Sequence, residues 1–241
     1  MHKIISSIRK DLRINVDKEY KIGCKRFFKE KITTYGVRTP IVRKIANKYF
    51  KEIKKLNKKE LFEIAEILFK SGYNEETIVA TQWLVNSLEK ITDKDFPVLA
   101  KWIEKHLNNW SKIDDYCTHV INPIITKYPS LMKNLKDWSI SKNFWVRRAS
   151  AVGLITANNE FYKKEKNLKF VFWIARKLMQ DQEDLVQKGY GWMLKVTANT
   201  KREDIFNFVM KHKKNMNRTA FRYAIEKMPK NLKIKAMKNN L

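Results

Sequence analysis

Two cysteines, Cys24 and Cys117, are all that 241 residues carry. They share no ligand or redox spacing, and two are too few for a disulfide framework. Six glycines and five prolines serve the whole chain. Sheet-rich folds with many tight turns usually need more, so the shortage favours helix. The four histidines, His2, His106, His119 and His212, are scattered without metal-ligand spacing. No uncharged run approaches the roughly 18 residues of a membrane helix. The opening MHKIISSIRKDLRIN lacks the apolar stretch of a secretory signal. There is no P-loop, no Rossmann glycine motif, no HExxH and no nucleophile elbow. These absences lead us to expect a soluble, cytoplasmic protein that needs no metal; we further expect a monomer without a cofactor.

What the chain has in abundance is positive charge. Lys and Arg number 51 against 25 Asp and Glu, a formal net charge of +26. Hydrophobic residues still make up 44% and aromatics 12%, too much apolar content for a disordered basic tail. A charge of this size opposes compaction, so an anionic partner is the natural inference. Basic residues run from Lys3 to Lys238 and are mixed with acids in most segments. A membrane-surface helix would concentrate them beside one apolar face. The last 31 residues hold ten Lys/Arg and one acid, Glu226, a local net of +9. Nucleic acid is the partner this pattern favours. The competing explanation is a Lys-rich surface without a specific partner.

Helical periodicity runs almost end to end. Ile4, Ile5, Ile8 and Leu12 form one stripe, Ile41, Ile45 and Tyr49 a second, and Leu61, Ile64, Ala65 and Leu68 a third. Ile78, Trp83 and Leu84 follow, then Val98, Trp102 and Ile103. Between stripes lie helix-start and helix-stop signals: Thr39-Pro40, Gly72, Thr92 with Asp95, Asn158, Asp181, and Thr200 with Glu203 at capping-box spacing. Pro123 either kinks a helix or starts one after Asn122. We expect an all-α protein of about 12–14 helices in a single domain over residues 1–241. Pairing at a period of about 40 residues predicts a right-handed superhelical solenoid of HEAT-like repeats. An irregular helical bundle is the alternative. A curved array of this kind would offer a long basic concave face to duplex DNA.

Three stretches stand out chemically. In Asn108-Asn109-Trp110-Ser111-Lys112-Ile113-Asp114-Asp115, Trp110 and Asp114 are one helical turn apart and share a face. Asp115 points elsewhere, and Asn109 or Ser111 would cap the helix. The plain alternative for Asp114 is an acid favoured by the helix dipole. In Phe144-Trp145-Val146-Arg147-Arg148, Trp145 and Arg148 share a face, and Arg147 lies about 100° away. Arg148 either reaches a phosphate or packs its stem on the core tryptophan. In Gln187-Lys188-Gly189-Tyr190-Gly191-Trp192-Met193-Leu194-Lys195, Lys188, Trp192 and Lys195 line one face. Each mid-helix glycine costs about 1 kcal/mol relative to alanine. Something must therefore approach closely there, either a ligand or a neighbouring helix.

With Tyr35-Gly36-Val37-Arg38-Thr39-Pro40 and the late Arg222-Tyr223-Ala224-Ile225-Glu226, these stretches resemble the AlkD-type DNA alkylation repair family. The family comprises HEAT-like-repeat DNA glycosylases, and the resemblance covers about residues 1–235. It implies hydrolysis of the N-glycosidic bond of N3- or N7-alkylated, cationic purines in duplex DNA, without metal or cofactor. It places the catalytic carboxylate at Asp114. It puts the lesion-lining indoles at Trp110 and Trp192, a phosphate-side arginine at Arg148 and an N-terminal aromatic at Phe27, where some members carry Tyr. We expect further backbone contacts from Arg38, Lys112, Lys188 and Lys195. The family also holds members that excise little or nothing, so a non-catalytic DNA-binding module is the second expectation.

Overall fold

The computed structural model describes residues 2–28 and 30–238, and they are helical almost throughout. The chain packs as two compact units, 1–124 and 125–241, where composition alone shows no boundary. The first unit contains α1 (His2–Ile14), α2 (Lys18–Phe27), α3 (Thr39–Ile53), α4 (Lys58–Lys70), α5 (Asn74–Val85), α6 (Phe96–His106) and α7 (Trp110–Tyr116). A π turn, Cys117–Ile121, leads into α8 (Asn122–Lys127), which carries the boundary. The second unit contains α9 (Asn134–Trp138), α10 (Phe144–Val152), α11 (Asn159–Lys163), α12 (Glu165–Leu178), α13 (Asp184–Thr197), α14 (Arg202–His212), α15 (Arg218–Ile225) and α16 (Lys230–Met237). Helices α8, α9 and α11 are five or six residues long and break up stretches that apolar periodicity reads as longer.

In the first unit α5 is the hub, packed on α3, α4 and α7. Leu61, Ile64, Ala65 and Leu68 of α4 are fully buried as the stripe predicts. Each such aliphatic side chain contributes roughly 1.5–3 kcal/mol relative to exposure. Trp83 is fully buried too, and its indole N–H donates to the Ala46 carbonyl at 2.9 Å, joining α5 to α3. Elsewhere the stripes are shifted by one residue. Val42 and Ala46 are buried beside Ile45, with Ile41 and Tyr49 at the margin. Leu99 is buried where Val98 is expected, and Val98 faces solvent. In the second unit α13 is the hub, packed on α10, α12 and α15.

Most caps fall where the chemistry puts them. Gly72 follows α4 at φ +76°, a conformation that glycine adopts at no steric cost. Asn109 caps α7 and Asn158 caps α11. Thr92 and Asp95 form a complete capping box. Three signals turn out otherwise. Thr39 is the first residue of α3 and not its cap, a place taken by Arg38 without a side-chain bond. Thr200 donates to Asn159 instead of capping α14 (3.0 Å). Asp181, three residues before α13 begins, grips Arg147 and accepts from the Glu183 amide. Pro123 has no N–H to give the helix. The π turn immediately before it absorbs the mismatch, with the Asn122 amide reaching back to the Cys117 carbonyl.

Candidate functional site

In the first unit the site is built on α7. Asn109 accepts from the Lys112 amide at 3.0 Å and donates through Nδ2 to Asn74 Oδ1 at 2.8 Å. One side chain therefore caps α7 and fixes it to the start of α5. Trp110 opens the helix and Asp114 follows one turn later; both are half-buried. Phe28 stacks on the Trp110 indole, ring centres 5.0 Å apart and planes 16° from parallel. Phe27 meets the same indole edge-on at 5.7 Å and is 70% exposed. The three rings stand beside a cleft of about 390 Å³ whose other walls include Tyr20, Cys24, Ile78 and Ser111.

Asp115 faces a different neighbourhood, as its angle around the helix predicts. Arg43 donates to it at 2.7 Å, and the His119 ring lies 3.3 Å away. The hydrogen bond to Asp115 raises the His119 pKa above the ordinary imidazole value. Arg43 also donates to Gln82 at 2.7 Å. This cluster organises the back of α7 and leaves the Trp110–Asp114 side to other partners.

Lys112 does not occupy the solvent-facing position expected of a phosphate contact. It is 3% exposed, and its ammonium donates to the Gly72 carbonyl at 2.7 Å and to Asn108 Oδ1 at 3.0 Å. Burial pulls its pKa down to about 8, while the charge of Glu75 works in the opposite sense. It sits on the first turn of α7, where the buried carbonyl at the end of α4 demands a donor. Its place is structural. Arg38 is exposed, but it donates to Asp17 at 2.9 Å and lies 5.1 Å from the Tyr20 ring centre.

The Tyr35–Pro40 motif belongs to a loop held by a buried carboxylate. Glu75 Oε1 accepts from the Thr34 hydroxyl (2.6 Å) and the amides of Gly36 (2.8 Å) and Val37 (3.0 Å). Its Oε2 accepts from the Tyr35 amide at 3.1 Å. Glu76, fully buried, takes both a bidentate grip from Arg9 (3.0 and 2.9 Å) and the Tyr35 hydroxyl (2.7 Å). Gly36 has φ +93°, and a Cβ there would stand 2.5 Å from Lys21 Cβ. No other residue fits that turn. By position alone Glu75 and Glu76 are first-turn acids of α5. Their burial carries no local signal.

In the second unit Asn143 caps α10, accepting from the Trp145 amide at 2.9 Å. Arg147 turns to Asp181 in a bidentate pair (2.5 and 3.1 Å) and donates to the Ser141 carbonyl at 2.9 Å. Arg148 is 5% exposed, and one guanidinium N–H donates to the Leu185 carbonyl. A Cβ on Gly189 would lie 3.3 Å from Arg148 Cγ and 3.4 Å from its Nη1. Gly189 is thus the seat of the arginine. A Cβ on Gly191 would lie 2.8 Å from Tyr223 Cβ and 2.9 Å from the Ala220 carbonyl oxygen. That glycine lets α15 lie close against α13, so both glycines are explained by contacts within the protein.

Trp192 is half-buried on α13, with Lys188 a turn before it and Lys195 a turn after. Lys188 pairs with Asp184 at 2.7 Å. Lys195 pairs with Glu226 at 3.0 Å and lies 5.1 Å from the Tyr223 ring centre. The Arg222–Glu226 motif is therefore partly the packing of α15 on α13. Phe28 is the site residue that sequence reading missed. Its one signal is the aromatic pair Phe27-Phe28 where α2 ends.

Among the described residues no cluster of His, Cys, Asp and Glu fits a metal ion, and no helix is long and apolar enough to cross a membrane. The class is an all-α, strongly basic helical protein that sets a carboxylate one turn from a half-exposed indole. Residues 8–228 match the model of the DNA alkylation repair enzyme family, and the chain belongs to that family. A solved structure described as a predicted DNA alkylation repair enzyme from Enterococcus faecalis shares the fold. Its TM-score is 0.75 at 15% identity, over 90% of this chain and 98% of that one. A comparison with curated proteins gives no match.

Proposed function

We propose that this protein is a monofunctional DNA glycosylase that hydrolyses the N-glycosidic bond of N3- or N7-alkylated purines in duplex DNA. The observation that carries the reading is the half-buried pair Trp110 and Asp114 on one face of α7, in a member of this family. An alkylated purine of this kind is a cation and departs as a neutral base. Its leaving group needs no general acid. Positive charge moves instead onto the deoxyribose, which becomes oxocarbenium-like. Asp114 stabilises that charge and orients the attacking water. The Trp110 face attracts the cationic nucleotide, a contact worth about 0.5–2 kcal/mol, and Phe27 flanks it. In the second unit we assign the half-buried Trp192 to a DNA contact of its own. Lys188 and Lys195, with Arg38 of the first unit, we assign to the DNA backbone, while Arg148, 5% exposed and bound to the Leu185 carbonyl, stays with the fold. Lesion charge and a weakened bond supply selectivity, so no base-specific readout is needed.

The test is release of 7-methylguanine or 3-methyladenine from methylated duplex DNA. Wild type is expected to release base, and Asp114→Asn to lower the rate by about a hundredfold or more. Undiminished release by the variant would refute the role of Asp114. A second reading, a DNA-binding module without excision, is favoured by one observation: Phe28 already covers a face of the Trp110 indole. It predicts salt-sensitive duplex binding with no base loss from wild type.

A further inference from the structure

Helix α12 in the second unit has two contrasting sides. Leu168, Val171, Ile174, Ala175 and Leu178 are buried. Lys166, Phe170, Trp173 and Lys177 follow one another at i, i+4, i+7 and i+11, a single stripe around the helix. Lys166 and Lys177 are exposed, and the two aromatics are half-exposed. The Phe170 and Trp173 rings are 6.3 Å apart and 31° from parallel. The ammonium of Lys136, from α9, lies 5.0 Å from the Trp173 ring and 5.8 Å from the Phe170 ring. That of Lys177 lies 5.7 Å from Trp173.

These two lysines differ from their neighbours. Lys169 is tied to Glu165 at 2.6 Å, and Lys163 to Glu160 at 2.6 Å. Among the described residues neither Lys136 nor Lys177 has a carboxylate partner. Their charges rest on ring faces, from which an incoming phosphate draws them without breaking an ion pair. The result is a pair of flat aromatic faces with uncompensated cations beside them.

We propose that this side of α12, with Lys136, is a contact for single-stranded nucleic acid: Phe170 and Trp173 stack unpaired bases, and Lys136 and Lys177 meet the flanking phosphates. Aromatic faces interleaved with cations are the elements such recognition requires. A duplex keeps its base faces stacked inside and offers the rings nothing. An acidic protein segment would use the lysines and leave the rings idle. The contact uses none of the residues assigned to base excision and stands whether or not excision occurs.

The experiment compares an oligothymidylate with a sugar–phosphate strand of equal length that lacks bases, each titrated into the full-length protein at several salt concentrations. Wild type is expected to prefer the base-bearing strand by about tenfold. Trp173→Ala abolishes that preference, and Trp173→Phe largely retains it. Lys136→Gln with Lys177→Gln weakens binding to both strands and lowers the salt slope by about 1.4. Equal wild-type affinity for the two strands overturns the proposal. So does a Trp173→Ala variant that keeps the preference, or polyglutamate competing as well as oligothymidylate.

Discussion

The two units hold their inner charges in different ways. In the first, the carboxylates of Glu75 and Glu76 are surrounded by donors: three backbone amides, two hydroxyls and the Arg9 guanidinium. In the second, the guanidinium groups of Arg147 and Arg148 are held by the carbonyls of Ser141 and Leu185 and by Asp181. Both arrangements lie within motifs that carry the family resemblance. Tyr35–Pro40 is the loop wrapped around Glu75, and the paired arginines begin the core of α10. Much of what makes the chain recognisable is therefore charge buried for the sake of the fold. Trp110, Asp114 and Trp192 belong to the remainder, half-buried side chains at the margins of their helices.

The strongest way to break that comparison is to remove one of these charges from each unit. Glu75→Ala strands the Thr34 hydroxyl and the amides of Tyr35, Gly36 and Val37 without their shared acceptor. We expect a loss of about 3–5 kcal/mol in urea unfolding. Arg147→Ala leaves Asp181 with the Glu183 amide at 3.0 Å and is expected to cost about 1–3 kcal/mol. A larger loss from the arginine than from the glutamate would reverse the assignment of which anchor matters more.

A second comparison lies within α13. Alanine at Gly191 would drive its Cβ against the Ala220 backbone, which has nowhere to go. Overpacking of this kind costs about 1–3 kcal/mol. Alanine at Gly189 meets only the flexible Arg148 stem at 3.3 Å and beyond. There a gain of about 1 kcal/mol in helix propensity offsets the squeeze. Gly191→Ala should therefore lower the unfolding midpoint while Gly189→Ala leaves it nearly unchanged. Equal losses at both positions would mean that Arg148 is held as rigidly as backbone.

These contrasts also mark what a sequence can and cannot reveal. Helices were legible because apolar spacing and caps are local: the α4 stripe, the Asn109 cap and the Gly72 stop all stand where their chemistry puts them. The Trp110–Asp114 pair was legible for the same reason, since one helical turn joins them. Lys112 was not. Its burial follows from the Gly72 carbonyl 40 residues earlier in the chain, and a lysine between an indole and a carboxylate reads as a surface cation. Phe28 was missed because it lies past the end of α2, where helical spacing no longer says which way a side chain turns. The two mid-helix glycines were rightly read as close approaches, but whether to a ligand or to protein depended on α10 and α15.

Lys112 offers a test that separates burial from pairing. Its folded pKa is about 8, against roughly 10.4 in an unfolded chain. Between those values the unfolded state binds more protons than the folded state, so this group makes stability rise with pH across about 8 to 10. Below and above that window its contribution is flat. Lys112→Met removes the titration. We expect the wild type to gain stability relative to the variant between pH 7.5 and pH 10, measured as the difference in urea midpoints. A difference that stays constant or falls would show that the Gly72 and Asn108 contacts outweigh desolvation.

The smallest expected effect concerns the seat beside Trp110. Phe28 lies nearly parallel to the indole at 5.0 Å, the arrangement a bound purine would adopt. A cationic base that stacks on this face must first displace the phenyl ring, giving up a contact worth about 0.5–1.5 kcal/mol. Phe28→Ala abolishes that competition and should tighten binding of a cationic nucleoside such as 7-methylguanosine by about two- to tenfold. Phe27→Ala, which removes an edge contact at 5.7 Å, leaves the face as it was and should change affinity less. If Phe28→Ala binds no better than the wild type, the base uses the other side of the indole, and the stacked phenyl is a fixed wall of the cleft rather than its occupant.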